Sequence, residues 1–286
     1  MNAKPHFYLS KLFKIITLVA LCTNSALAYA ETKKHIQHIE PLSWKDMENV
    51  FFLESRGNMI DIIRNLPKDF PKIRNANKRK KLFILGLLPI VEQENLRIRE
   101  QRNLIKLFLK DDHWPQVGDR KQWLNHAVKR YRINTAIPAK IKQQLLLKVD
   151  EIPAPLVIAQ AALESGWGTS RFALEGNSLF GQWTFAESTG LVLEEREDGE
   201  THRVKAFNNI SESVRAYMQN INTHHAYREL RNMRQNMRKQ FSPLDSYKLA
   251  SGLNRYSQMG DRYVRELRSI MNSDVMMRIL TQDTED

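Results

Sequence analysis

The sequence predicts a mainly helical α+β protein with one small β-hairpin lobe, and three observations support this class. Apolar residues recur at helical spacing through most of the chain after residue 44. Residues 155–165 form an almost wholly apolar stretch that ends at two glycines, as a buried helix would. Asp198-Gly199 separates two partly alternating runs between residues 191 and 207, which is a strong hairpin signal.

Residues 1–30 have the features of a cleavable secretory signal peptide. Lysines precede an apolar run at 15–22, and small residues at 26–30 provide a cleavage site. The apolar run is short for a bilayer span, which favours cleavage over an uncleaved anchor. We therefore expect export to the periplasm. Cleavage would also remove Cys22, the one cysteine, which excludes disulfides and thiol chemistry from the mature chain.

The formal net charge of +12 favours a polyanionic partner. Three lysines lie within residues 1–30, so the mature chain keeps a charge of +9. For an exported protein the accessible polyanions are the acidic stem peptides of the cell wall and anionic membrane headgroups, and nucleic acid is not expected. The alternative is that Lys and Arg simply solvate long helices, such as the basic helix predicted at 225–239.

Residues 31–119 are predicted to form a helical N-terminal segment, followed by a second unit at 120–280. The first unit shows helical patterns at 44–66 and 82–109. Its most apolar run is only ten residues long, which favours a core helix over a transmembrane one. In the second unit, helices are predicted at 122–131, 140–149, from 211 onward, at 225–239 and from 261 onward, with N-caps at Ser242 and Asp261.

Glu164 is the candidate catalytic residue. It lies in the last turn of the apolar helix, just before Gly166. Burial and the negative end of the helix dipole both favour its neutral form. A carboxylic acid that stays protonated near neutral pH is what acid-catalysed cleavage of an acetal requires. The alternative is a solvated charge or an ion pair with Arg171.

Two neighbouring motifs carry a family resemblance. Residues 161–170 read Ala-Ala-Leu-Glu-Ser-Gly-Trp-Gly-Thr-Ser, and residues 176–181 read Gly-Asn-Ser-Leu-Phe-Gly. Together they resemble the signature of glycoside hydrolase family 73, and the wider stretch 150–183 most resembles the bacterial Bax proteins. The resemblance implies a lysozyme-like glucosaminidase domain that acts on peptidoglycan, over about residues 120–275. Ser178 departs from the pattern, since the family usually has a second Asn there.

Glycosidic cleavage usually requires a second carboxyl group. Relatives carry it before a turn of the form Glu-x-Glu-Asn-Gly, which residues 195–199 resemble, so the resemblance implies Glu195. An acidic, soluble hairpin edge is the alternative. Relatives also carry a Tyr-x-x-Asp-x-x-Tyr motif, which residues 256–263 resemble with one extra residue. This implies a catalytic role for Tyr256 and a substrate-binding role for Tyr263.

Aromatic residues near Glu164 are candidates for sugar binding, because pyranose faces pack against flat apolar rings. Trp183 is the stronger candidate, while Trp167 and Phe180 have core packing as their alternative. Asn177, in the second motif, is assigned to substrate binding through the resemblance. The predicted partners are peptidoglycan glycan strands, and no metal or cofactor is predicted.

Three functions remain open at this stage. The first is a peptidoglycan β-N-acetylglucosaminidase with Glu164 as general acid. The second is a lytic transglycosylase of the same fold, which also relies on a single Glu. The third is a non-catalytic protein that binds or scaffolds the cell wall. The intact Glu-Ser-Gly-Trp-Gly run at 164–168 favours an enzyme.

Overall fold

The computed structural model describes residues 64–110, 118–184, 190–192 and 203–282. Within these ranges ten α-helices and three short strands confirm the predicted α+β class. The helices are α1 (Ala76–Phe108), α2 (Asp119–Arg130), α3 (Pro138–Lys148), α4 (Ala154–Ser165), α5 (Arg171–Gly176), α6 (Ile210–Thr223), α7 (Arg228–Lys239), α8 (Ser246–Leu249), α9 (Asp261–Met271) and α10 (Asp274–Gln282). The strands are β1 (Trp183–Thr184), β2 (Gly190–Leu191) and β3 (Arg203–Lys205).

Several sequence predictions lie outside the described residues. They include the signal peptide at 1–30, most of the helical pattern at 44–66 and the hairpin turn at 198–199. The boundary between residues 119 and 120 stays a prediction.

Helix α4 lies at the centre of the fold, packed against α1, α8 and α9. Pro155 occupies its first turn, where a missing N–H costs nothing. Most of the helix is buried, as its apolar sequence predicts. Gly166 then adopts a left-handed conformation with φ 58°, and the N–H of Trp167 donates back to the carbonyl of Ala162 at 2.8 Å. This ending places Glu164 in the last turn.

Helix α1 covers one side of α4. Asn75 caps it by accepting a hydrogen bond from the N–H of Lys78 at 3.0 Å, and the helix continues through Pro89. Further along, the buried side chain of Asn95 exchanges two hydrogen bonds with the backbone of Ile152, at 2.9 and 3.1 Å. These bonds fix the segment that leads directly into α4.

The three strands form one antiparallel sheet in the order β1-β3-β2. Strands β2 and β3 pair as the two arms of the predicted hairpin would, with Leu191 opposite Val204. Strand β1 is an addition that the sequence did not predict, because two residues carry no alternation. It pairs with β3 through Trp183 opposite Val204, which attaches the residues following the second motif to the sheet.

Two predicted helix caps differ in the structure. The short helix α8 begins after Asp245, whose side chain accepts a hydrogen bond from the N–H of Lys248 at 3.0 Å, so Asp245 rather than Ser242 is the cap. Helix α9 begins at Asp261 itself, and Gly260 occupies the capping position. Asp245 lies nearer than Ser242 to Leu249, the first buried residue of α8, whereas Gly260 lies one residue before the predicted cap of α9.

Three of the four arginines of α7 point into the protein. Arg231 donates to backbone carbonyls at the end of α6, at 2.7 and 2.8 Å. The fully buried Arg234 donates to Asn222 at 2.8 Å and to backbone carbonyls at the end of α3. Arg238 donates to Asp150 at 3.0 Å. These three cations of the predicted basic helix therefore satisfy internal acceptors.

Asp150 is the anion at the centre of this network. Burial by itself would raise the pKa of Asp150, but Arg234, Arg238 and Arg102 hold that pKa below its ordinary value. The carboxylate therefore contributes stability that is present above the pKa of the unfolded state and is lost as the pH falls through the folded pKa.

Within the described ranges, none of the helices combines the length and the apolar character needed to cross a bilayer.

Replacing Arg234 by Met should lower the free energy of unfolding by about 3–5 kcal/mol, because several carbonyls would stay buried without their donor and Asp150 would lose one of its neighbouring cations. Urea denaturation at neutral pH measures this. Arg262→Met is the matched control: Arg262 is exposed and pairs with Glu266 one turn later at 3.1 Å, so its loss should cost less than about 1 kcal/mol. Similar losses for both variants would contradict the internal role of Arg234.

Candidate active site

The carboxyl group of Glu164 is half-buried and held at one oxygen. The hydroxyl of Tyr263, on α9, donates to its Oε1 at 2.7 Å. The other oxygen, Oε2, faces Gly181, where an added Cβ would lie 3.8 Å away. Gly181 adopts a left-handed conformation with φ 59° that favours glycine. Because this residue has no side chain, Oε2 stays uncovered on that side.

The surroundings of Glu164 favour its neutral form. Burial raises the pKa of Glu164 above its ordinary value, and the hydrogen bond from Tyr263 offsets part of this effect. No Lys, Arg, Asp or Glu in the described part of the chain contributes to the shift. Arg171, considered above as a partner, contacts Glu175 at 3.4 Å and the carbonyl of Val192 at 2.6 Å.

Two further side chains connect to Tyr263 behind the carboxyl group. Gln160, one helical turn before Glu164 on α4, donates from Nε2 to the Tyr263 hydroxyl at 2.9 Å. The hydroxyl of Tyr217, on α6, donates to Oε1 of Gln160. Gln160 and Tyr217 have no solvent exposure, so the contacts lie within the core.

A cluster of aromatic rings surrounds these groups. Tyr256 stacks on Tyr263 with ring centroids 5.5 Å apart, and its hydroxyl donates to the carbonyl of Phe180 at 2.8 Å. Tyr217 stacks on Phe180 at 4.0 Å. The tyrosine that contacts the carboxyl group is therefore Tyr263, whereas Tyr256 bonds to the backbone. The catalytic role of Tyr256 and the substrate-binding role of Tyr263 stay predictions.

Three of the predicted sugar-binding side chains contribute to packing. Phe180 is only 2% exposed and lies in the core. Asn177 ends α5 in a left-handed conformation and donates to the carbonyl of Phe207 at 3.1 Å. Trp167 packs edge-on against Phe83, with ring centroids 5.9 Å apart. Phe180 and Trp167 thus make the packing contacts that their core alternative expects, and the sugar-binding roles of all three residues stay predictions.

Trp183 differs from these three residues, since it is 66% exposed. It lies on β1, two residues after Gly181, the residue that faces Oε2 of Glu164. An exposed indole at such a place is suited to contact a sugar face. Glu195, the predicted second carboxyl group, lies outside the described residues.

Sequence reasoning missed Gln160, Tyr217 and Gly181. A polar Gln inside an apolar helix, four residues before Glu164, lies on the same helix face and could have been singled out. Gly181 belongs to the second motif, but its proximity to Oε2 depends on the loop conformation. Tyr217 gives no signal, because it reads as one more apolar-face residue of α6. In the described residues no group of three or more potential metal ligands comes together.

The fold and this site define a glycosidase-type domain: a buried helix presents one carboxylic acid beside a small sheet. Residues 140–274 match the Glucosaminidase family model, described as mannosyl-glycoprotein endo-beta-N-acetylglucosaminidase. The match supports a glycoside hydrolase-type enzyme.

The chain is 31% identical to the protein Bax of Escherichia coli (strain K12) over 197 residues, which cover 68% of this chain and 69% of that relative. It therefore belongs to the Bax family of glucosaminidase-domain proteins. No solved structure matches the chain significantly.

Replacing Gly181 by Ala should reduce kcat/KM for glycosidic cleavage by roughly tenfold or more, because the methyl group would fill the space beside Oε2, 3.8 Å from that oxygen. It should also destabilise the fold by about 1–2 kcal/mol, since φ is left-handed. Steady-state kinetics and thermal unfolding measure the two effects.

Gly118→Ala is the matched control. Gly118 also has a positive φ, of 84°, and an added Cβ there would meet nothing within 4 Å. This variant should lose stability and keep activity. Equal loss of activity in both variants would attribute the effect to backbone strain instead.

Proposed function

We propose that the protein is an exported peptidoglycan hydrolase that cleaves the β-1,4 bond after N-acetylglucosamine. The observation that carries the proposal is the carboxyl group of Glu164. Burial raises its pKa, one oxygen accepts from Tyr263 and the other is uncovered at Gly181. The Glucosaminidase match and membership of the Bax family support the substrate class.

In this reaction Glu164 acts as the general acid. Its neutral carboxyl group donates a proton to the glycosidic oxygen as the bond to the sugar carbon breaks, and the leaving sugar departs as an alcohol. The sugar left behind develops positive charge. Glu195 is the proposed second carboxyl group, which stabilises that charge or activates the attacking water.

Trp183 is the proposed sugar-binding residue. Its indole is the exposed aromatic side chain nearest in sequence to Gly181, and the face of a pyranose ring packs well on such a surface. Contact there would hold one sugar unit while the neighbouring glycosidic oxygen meets Oε2 of Glu164.

The proposed location is the periplasm, reached through cleavage of the signal peptide at residues 1–30. The features that support it are the lysines, the short apolar run and the small residues before position 31. There the protein would meet glycan strands, and anionic membrane headgroups are a further candidate contact for a basic chain.

A lytic transglycosylase is the second candidate. It is favoured by one observation: Glu164 is the one acid that the described part of the site contains, and such enzymes rely on a single Glu. The two activities leave different ends, a reducing N-acetylglucosamine for the hydrolase and an anhydromuramic acid for the transglycosylase.

Replacing Glu164 by Gln should lower the rate of sacculus solubilisation by about 10²–10⁴-fold with the fold intact, because the amide cannot donate the acidic proton. Mass spectrometry of the fragments released by the unsubstituted protein should find reducing N-acetylglucosamine ends. Glu175→Gln, which changes an exposed Glu on α5, should leave the rate unchanged. Full lysis by Glu164→Gln would refute the proposal. Anhydromuramic ends among the released fragments would instead support a lytic transglycosylase.

Replacing Trp183 by Ala should raise KM for glycan strands by roughly 3- to 10-fold with little change in kcat, since a stacking surface is lost and the acid is not. Phe241→Ala is the control, because Phe241 is an aromatic residue that is 97% exposed on the connection between α7 and α8. If KM rose equally in both variants, a specific sugar site at Trp183 would be ruled out.

A further inference from the structure

We infer that Tyr217, Gln160 and Tyr263 form a one-way donor relay that ends on Oε1 of Glu164 and fixes the acid's proton on Oε2. The term donor relay refers to these three side chains, which are positioning residues because they act through Glu164. The inference rests on the role of Glu164 proposed above, and it adds which oxygen delivers the proton and what determines that choice.

The relay joins three helices through three hydrogen bonds. The Tyr217 hydroxyl contacts Oε1 of Gln160, Nε2 of Gln160 contacts the Tyr263 hydroxyl at 2.9 Å, and that hydroxyl contacts Oε1 of Glu164 at 2.7 Å. Each tyrosine hydroxyl has one proton to donate, and the amide has separate donor and acceptor ends. The direction of one bond therefore sets the direction of the others. We call the direction in which each group donates toward Glu164 the forward direction.

Two directions are possible in principle, because the amide of Gln160 could be turned over. In the reverse direction the amide nitrogen would donate to Tyr217, Tyr263 would donate to the amide oxygen, and Glu164 would donate to Tyr263. The proton of Tyr217 would then need another acceptor. Tyr217 has no solvent exposure, and Gln160 is its one hydrogen-bond partner among the described residues. A buried hydroxyl proton without an acceptor is costly, which favours the forward direction.

The forward direction leaves one place for the acidic proton. The Tyr263 oxygen already accepts from Gln160, and its own proton is committed to Oε1. A neutral carboxyl group has a single O–H, and an oxygen that accepts the tyrosine proton is the carbonyl-like one. The proton therefore lies on Oε2, which faces Gly181. The relay also works after proton transfer, since Tyr263 can donate equally to a carboxylate.

Nothing else in the described surroundings competes for this proton. The titratable groups coupled to Glu164 are tyrosines on α6, on α9 and on the segments that precede α7 and α9: Tyr217, Tyr227, Tyr256 and Tyr263. Burial raises the pKa of each of them, so all four stay protonated through any ordinary assay range. The donors of the relay are thus present at every pH where Glu164 titrates.

Tyr263→Phe distinguishes the two directions by the sign of one shift. In the forward direction the variant removes a donor to the carboxylate, so the pKa of Glu164 rises and the basic limb of the kcat/KM profile moves to higher pH. The maximal kcat should also fall by about tenfold, because the proton is no longer confined to Oε2. In the reverse direction the variant removes the acceptor of the acid's proton, so the pKa of Glu164 falls and the limb moves to lower pH.

The pKa of Glu164 can be read without turnover, from the infrared carboxyl band with the Glu164→Gln spectrum subtracted. This readout separates the relay from the proposed function: activity retained in Glu164→Gln overturns the function, whereas the infrared shift in Tyr263→Phe decides the relay by itself. An unchanged or lowered pKa overturns the relay.

A second variant tests whether a local packing change at Tyr263, and not the lost hydrogen bond, causes the shift in the pKa of Glu164. Tyr217→Phe keeps the ring stacked on Phe180 and deletes only the first donor of the relay, so it should shift the pKa of Glu164 in the same direction by a smaller amount. Tyr131→Phe is the matched control, because the buried Tyr131 also donates to a glutamine, Gln101, at 2.8 Å, outside the site. It should leave the pKa and the rate unchanged. No shift in Tyr217→Phe, or an equal shift in Tyr131→Phe, overturns the relay.

Discussion

The burial of α4 is the constraint on which the site depends. Helices α1, α8 and α9 surround it, so a charged group at its end cannot be fully hydrated and ionises less readily. The chain leaves this crowded end through Gly168, where an added Cβ would lie 2.9 Å from Leu66 and 3.0 Å from Phe83. Close packing around a glycine turn therefore limits the hydration of this end of the helix, where burial raises the pKa of Glu164.

Packing and chemistry share the same aromatic rings. Tyr217 stacks on Phe180 and also supplies the first donor behind Glu164, while Tyr256 stacks on Tyr263 and holds the carbonyl of Phe180. The loop that follows α5 is thereby fixed against α6 and α9. Gly181, near the end of this loop, is placed beside the open oxygen as a result. Side chains such as Phe180 affect the site through the backbone that they hold.

The parts of the site that sequence could predict are local. A buried helix, a Glu in its last turn and a glycine stop all lie within twelve residues of one another, where apolar pattern and backbone preference decide the structure. The contacts to Glu164 are not local: Tyr263 lies 99 residues further on, and Tyr217 lies 57 residues after Gln160. One sequence pattern cannot pair such positions, so it could not show that Tyr263 is the tyrosine in contact with Glu164. Strand β1 could not be predicted for a related reason. It is defined by its pairing with β3, and its two residues alone carry no strand signal.

The sequence also could not show where the positive charges lie in the folded protein. A net charge of +12 counts every arginine equally, yet Arg231, Arg234 and Arg238 are turned toward carbonyls and Asp150. This arrangement matters for the acid, because a guanidinium within a few ångströms of Glu164 would stabilise the carboxylate and lower its pKa. Among the described residues, the groups coupled to Glu164 are hydroxyls and no cations. A basic chain can thus contain a carboxyl group whose pKa is raised, provided that its buried cations contact acceptors elsewhere.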